Sequence, residues 1–173
     1  MNRREALRNV ALATGGWIAL PTWAEAWNPN HVRDISVFLS VEQEALLASV
    51  VDTIIPTTDT PGAKDLEVPA FIQKMLVDCY EKDVQENVKK GLEITNAIAL
   101  DSYLRPFEKC NSLQRKDVLR KLQLSTDQAR KDYLALVKSL TILGFTTSEY
   151  VQTKYLNYNP IPGHYYGCVP VKT

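Results

Sequence analysis

The sequence contains little of the side-chain chemistry from which metal and cofactor sites are usually built. Of its 173 residues, three are cysteine and two are histidine. No CxxC or CxxCH motif is present, which excludes the standard c-type haem attachment, a zinc knuckle and an iron–sulfur run. His31 and His164 both fall in stretches without periodicity, which argues against a histidine-built metal site or catalytic triad. Motifs of dinucleotide-binding folds, P-loops and serine hydrolases are missing too, so we predict no catalytic, metal-binding or cofactor-binding residue in this chain.

An excess of charge of either sign is also missing. The chain has 20 basic and 20 acidic residues and a formal net charge of zero. A general nucleic-acid binder needs surplus Lys and Arg to neutralise phosphates, so we expect no nucleic-acid partner. The basic pairs lie beside acidic residues on helix-like segments, which favours solvated helix faces over a binding patch. They are Lys89-Lys90, Arg115-Lys116, Arg120-Lys121 and Arg130-Lys131.

Residues 1–26 have the order of a secretory leader: basic residues, a weakly apolar run and small residues before a cleavage point. The twin arginines and the modest hydrophobicity, with Gly15 and Gly16 inside the run, resemble a twin-arginine export signal. An amphipathic helix that stays attached is the alternative. The residues assigned to the export signal are Arg3, Arg4, Leu7 and Arg8, and those assigned to cleavage are Ala24 and Ala26.

No later stretch approaches the roughly 18 consecutive apolar residues that a membrane helix needs. Residues 133–145 come closest, but Lys138 interrupts them. We therefore predict a soluble mature protein in the periplasm, delivered there by the twin-arginine translocase.

The remaining chain predicts an all-α fold: a linker over residues 27–39, then one helical domain over residues 40–173. Apolar residues recur at helical spacing in five to six segments, which indicates a compact bundle, and no alternating strand pattern appears. Capping-box patterns begin helices at Ser40 and Ser125, and Gly91 is placed to allow a close helix crossing. In the fifth helix we expect Leu143 to face inward and Gly144 to form the C-cap. A long irregular segment rich in Pro, Gly and Tyr follows the last helix.

Residues 52–63, DTIIPTTDTPGA, form the first of two distinctive loops. The structural interpretation is that Asp52 and the threonines satisfy free backbone groups at a helix end, while Pro-Gly sets a turn. A cation site built from Asp52, Asp59 and loop carbonyls is the less favoured alternative, because the spacing matches no calcium loop. The structural residues assigned here are Asp52, Pro56, Asp59, Pro61 and Gly62.

The second loop, PIPGHYYGCVP at residues 160–170, has the composition of a docking segment. Tyr gives a large contact area at low entropic cost, and Pro keeps the backbone rigid. A tail that wraps its own bundle is equally compatible with the pattern. The residues assigned to partner contact are Pro160, Pro162, Gly163, Tyr165, Tyr166 and Cys168.

Three stretches resemble the gluconate 2-dehydrogenase subunit 3 family: DTIIPTTDTPGAKDLEVPAFIQKML at residues 52–76, GFTTSEY at residues 144–150 and YNPIPGHYYGCVP at residues 158–170. The resemblance extends from about Leu39 to Pro170. It implies the small subunit of an exported sugar or sugar-acid dehydrogenase. In such complexes a large subunit of the glucose-methanol-choline type carries FAD and the catalytic groups, and a multihaem cytochrome c takes the electrons in some systems.

The resemblance therefore implies a non-catalytic subunit that assists folding, assembly and export of the flavoprotein, in the periplasm or held at the membrane through the complex. A small exported enzyme acting on a sugar, and an envelope adaptor, stay open as alternatives. In an exported protein an odd cysteine suggests intermolecular pairing. We expect a disulfide from Cys168 either to the large subunit or to Cys110, with Cys79 a buried thiol on an apolar helix stripe.

Overall fold

A computed structural model describes residues 38–159 together with 161 and 163. These residues form six α-helices and one 3₁₀ helix, with no strand among them, so the predicted all-α bundle is confirmed. The helices are α1 (Val41–Ile54), α2 (Val68–Cys79), α3 (Lys82–Tyr103), α4 (Ser112–Gln123), α5 (Gln128–Thr146) and α6 (Glu149–Lys154), and the 3₁₀ helix η1 is Phe107–Lys109.

Local hydrogen bonds explain where the helices begin. Ser40 and Gln43 form a capping box at α1, in which Ser40 Oγ accepts from the Gln43 N–H and Gln43 Oε1 accepts from the Ser40 N–H. Asn111 and Gln114 form a second capping box at α4. The capping box predicted at Ser125 is wrong. Asp127 is the N-cap of α5 instead, accepting from the Ala129 N–H at 3.0 Å.

α5 is the central helix of the bundle, since it packs against α1, α2, α3 and α4. Its buried residues Tyr133, Leu134, Val137 and Leu140 belong to one core that all these helices share. Leu39, at the end of the stretch predicted as linker, is also buried in this core.

α3 and α5 cross closely at Gly91, as the sequence predicts. A Cβ built on Gly91 would lie 2.6 Å from Cδ1 of Tyr133, so only glycine fits beneath this ring. The Tyr133 side chain is fully buried, and its hydroxyl lies 3.4 Å from Oγ1 of Thr95. Burial raises the pKa of Tyr133 to about 12, so the phenol stays neutral at physiological pH.

Three expectations near helix ends are wrong. Gly144 is buried inside α5, which continues to Thr146 and is capped by Thr147. Leu143 is 43% exposed instead of facing inward. Cys79, the last residue of α2, is exposed. The apolar pattern of the sequence includes Leu143 and Cys79 although neighbouring helices leave both side chains exposed, whereas Gly144 stays within α5 and packs against Phe71 and Val68 of α2.

Candidate partner-contact surface

The loop between α1 and α2 is organised by Asp65, a residue that sequence reasoning missed. Its Oδ2 accepts from Oγ1 of Thr57 at 2.5 Å and from the Gly62 N–H at 3.0 Å. These hydrogen bonds stabilise the carboxylate and hold the pKa of Asp65 below its usual value. The signal in the sequence was an Asp placed three residues after Gly62, a spacing at which its carboxylate can bond back to the backbone.

Gly62 itself lies where the loop folds back on the end of α1. A Cβ at this position would lie 2.5 Å from the backbone N of Thr57 and 2.8 Å from the carbonyl carbon of Pro56. The Ala63 N–H then donates to the Ile55 carbonyl at 3.0 Å, which closes the loop. Glycine is required here by the close approach of two backbone segments.

Asp52 does not hold the loop together, contrary to expectation. Its carboxylate accepts instead from Nη1 of Arg115 at 3.2 Å. The same guanidinium donates to the carbonyls of Phe107 and Glu108, at 3.2 and 2.6 Å. Asp52 therefore joins α1 to α4 and η1.

The loop and α6 lie side by side because the end of α5, which leads into α6, packs against the start of α2. A Cβ on Gly144 would lie 2.6 Å from Cδ1 of Phe71 and 3.1 Å from Cγ1 of Val68, so α5 and α2 are in direct contact at this glycine. An open groove of about 550 Å³ runs between the loop and α6. The structure thus places residues 65–67, just after the first distinctive loop, beside α6, whose first residues belong to the GFTTSEY motif. The groove is lined by Asp65, Leu66, Glu67, Ser148, Glu149, Tyr150, Thr153 and Lys154.

The chain that leaves α6 presents large apolar side chains to solvent. Its backbone stays anchored to the helix, because the Leu156 and Tyr158 N–H groups donate to the carbonyls of Val151 and Gln152, at 3.2 and 2.9 Å. The exposed fractions are 57% for Tyr155, 60% for Leu156, 59% for Tyr158 and 81% for Ile161. Exposed apolar residues grouped in this way are typical of a protein-interaction site. We call residues 155–161 the C-terminal apolar segment.

Gly163 continues this segment, with an exposed backbone at φ +73° and nothing within 4 Å of a Cβ built on it. The other residues predicted to contact a partner lie outside the described residues. They are Pro160, Pro162, Tyr165, Tyr166 and Cys168. Cys110 is buried, with 5% of its surface exposed, and its pairing with Cys168 stays a prediction.

Within residues 38–159 no group of three or more His, Cys, Asp or Glu side chains is placed to hold a metal ion. Over the same residues, no helix has the length and hydrophobicity to cross a membrane.

Comparison with known proteins identifies a family. The family model described as gluconate 2-dehydrogenase subunit 3 matches residues 41–163. No curated protein and no solved structure matches the chain. The matched residues include all six described helices, the loop organised by Asp65 and the C-terminal apolar segment. The chain belongs to the gluconate 2-dehydrogenase subunit 3 family.

Proposed function

We propose that this protein is the non-catalytic small subunit of a periplasmic, FAD-dependent sugar or sugar-acid dehydrogenase. The observation that carries the proposal is the family match over residues 41–163, which implies a subunit of a multi-subunit dehydrogenase complex. In this assignment FAD and the catalytic groups belong to a large subunit of the glucose-methanol-choline type. A cytochrome c subunit with haem c is the electron acceptor where a third subunit is present.

The C-terminal apolar segment is the surface we assign to the large subunit. Tyr155, Leu156 and Tyr158 expose more than half of their surface although their backbone is tied to α6. A pre-ordered row of Tyr and Leu loses little conformational entropy on binding and buries a large apolar area. The segment leads directly into the Pro- and Tyr-rich residues predicted to contact a partner.

A Tyr158→Asp variant tests this surface. Burying an uncompensated carboxylate in an apolar interface is costly, so we expect the variant to lose co-purification of the flavoprotein. Leu113→Asp is the matched control, because Leu113 is 78% exposed on a different part of the fold, at the start of α4. If both variants retain the flavoprotein equally, the C-terminal apolar segment is not the interface.

We further propose that the leader serves the flavoprotein as well as its own chain. The twin-arginine route carries folded proteins, and a partner that loads FAD in the cytoplasm without a signal of its own would be exported together with this subunit. The motif at Arg3 and Arg4 is the sequence observation behind this step.

Deleting residues 1–26 and fractionating the cells tests the export role. We expect the dehydrogenase subunit to stay in the cytoplasm in its folded, flavin-loaded form. Arg3→Lys with Arg4→Lys is the matched variant of this deletion, since it keeps the leader and its charge and removes only the arginine pair. We expect the same retention of the dehydrogenase subunit in the cytoplasm. A dehydrogenase that still reaches the periplasm in both strains would contradict the export role and leave the subunit assignment intact.

A further inference from the structure

A groove between α4 and α5 has a chemical character that the proposed function does not use. Two adjoining hollows of about 400 and 240 Å³ share Gln123, Leu134 and Lys138 as lining residues. The larger hollow extends towards the end of α1, where Ile54 lines it. We call this feature the α4–α5 groove.

Both rims of the α4–α5 groove carry basic side chains. Lys116 and Arg120 line it from α4, four residues apart and therefore on one helix face. Lys131 and Lys138 line it from α5, two helical turns apart on one face. No acidic residue lines either hollow. Cations on two facing walls without lining carboxylates produce a positive potential inside the groove.

These four cations are distinct from the basic residues next to them. Arg115, Lys121 and Arg130 each form a salt bridge, with Asp52, Asp117 and Asp127 respectively. None of the four rim cations forms a salt bridge with any residue in the described part of the chain. The salt bridges neutralise the neighbouring cations but not the four rim cations. The groove is therefore basic although the net charge of the protein is zero.

The floor of the groove is apolar. Ile54 and Leu119 are partly buried, and Leu134 is 6% exposed. Apolar side chains below a charged rim match a ligand that is amphipathic, with a hydrophobic stripe flanked by negative charge on both sides. A flat lipid surface would contact the charged rim and leave this recessed floor uncovered.

We infer that the α4–α5 groove binds an acidic, amphipathic helical segment of a protein partner. The apolar stripe of that segment contacts Ile54, Leu119 and Leu134. Its flanking carboxylates pair with the cations on α4 and on α5, which is the helix-in-groove mode of recognition. The inference does not require the dehydrogenase partner, because the isolated full-length chain contains the whole groove.

A designed peptide probe tests the inference by fluorescence anisotropy. The probe is a labelled helical peptide with Leu along one stripe and Glu on both flanks, and its counterpart has Lys in place of every Glu. We expect the full-length chain to bind the Glu peptide, to bind it more weakly at about 0.5 M salt, and not to bind the Lys peptide. Equal binding of both peptides, or no binding of the Glu peptide, would overturn the inference.

Charge-reversal variants test whether the Glu peptide binds in the α4–α5 groove. Lys116→Glu with Lys138→Glu changes one cation on each wall, and we expect at least about a tenfold loss of affinity. Lys74→Glu with Lys90→Glu is the matched control, with the same change of net charge at exposed positions on α2 and α3 outside the groove. We expect that control to bind within about twofold of the unmodified chain. Circular dichroism verifies that both variants fold.

Two results count against a peptide site. Equal weakening by the groove variant and its control would show a general charge effect. Flotation of the chain with phosphatidylglycerol vesicles but not with phosphatidylcholine vesicles, in the absence of peptide binding, would assign the groove to an anionic lipid surface.

Discussion

Replacement of Gly91 by Ala probes the closest helix crossing in the bundle. The added Cβ would lie 2.6 Å from Cδ1 of Tyr133, nearer than real Cβ contacts come. The ring is fully buried among core residues, so it has no free space into which it can move. α3 and α5 must therefore separate, or the Tyr133 side chain must leave its preferred rotamer.

The expected loss of stability follows from two opposing effects. Inserting a methyl group into a packed core costs about 1–3 kcal/mol. Alanine in a helix interior is about 1 kcal/mol more favourable than glycine, which offsets part of that cost. Because the contact with the Tyr133 ring is shorter than real Cβ contacts, the insertion cost lies near the upper end of that range, and we expect a net loss of about 2 kcal/mol in the free energy of unfolding, which corresponds to a Tm lower by about 4–8 °C.

Urea unfolding followed by far-UV circular dichroism measures this loss. Lys90→Ala, at the neighbouring exposed position, is the control and should change stability by no more than about 0.5 kcal/mol. In a Tyr133→Leu background the Gly91→Ala change should cost less, because the ring that causes the clash is gone. A Gly91→Ala protein as stable as the unmodified chain would refute the close crossing of α3 and α5.

Three further predictions concern single side chains. Hydrogen bonds lower the pKa of Asp65 in the folded protein. Its ionised carboxylate therefore stabilises the fold at pH values above the ordinary carboxyl pKa of about 4, and this contribution is lost as the pH falls through the lowered pKa of Asp65. Asp65→Asn should therefore have a lower Tm than the unmodified chain at pH 7, and a Tm series towards acid should show the difference shrinking below about pH 4. Arg115→Met removes the hydrogen bonds that join Asp52 and η1 to α4, and it should lower the free energy of unfolding in urea by about 2 kcal/mol. An unchanged urea midpoint would contradict a stabilising role for these bonds. Asn111→Ala removes the side-chain cap of α4 and should cost about 1 kcal/mol, whereas Asn111→Asp should keep most of the stability in the same assay.

Helix positions could be predicted from the sequence because their signals are local. The capping box predicted at Ser40 uses a partner three residues away, and the structure contains it. The prediction at Ser125 failed because Asp127, two residues further on, is an equally good N-cap, and its hydrogen bond to Ala129 decides the start of α5.

The surroundings of single residues could not be predicted in the same way. Glycine commonly ends a helix, but Gly144 continues α5 because Phe71 and Val68 of α2 pack directly against it. Asp52 and Asp65 lie near the same loop and look equivalent in sequence. The position of Arg115, 63 residues from Asp52, decides that only Asp65 organises the loop.

The sequence by itself determined the helical class, the start of α1 and the close crossing at Gly91, because these depend on residue type and apolar spacing along the chain. The family resemblance also came from sequence motifs alone. Only the tertiary structure decided which surfaces face each other. It placed the Asp65 loop beside α6, and it set Lys116 and Arg120 opposite Lys131 and Lys138 across one groove. The basic pairs along α4 and α5 appeared in sequence as separate solvated faces. One member of each pair, namely Lys116, Arg120 and Lys131, lines a single basic groove together with Lys138, because the packing of the core brings the two helices side by side, which no local pattern encodes.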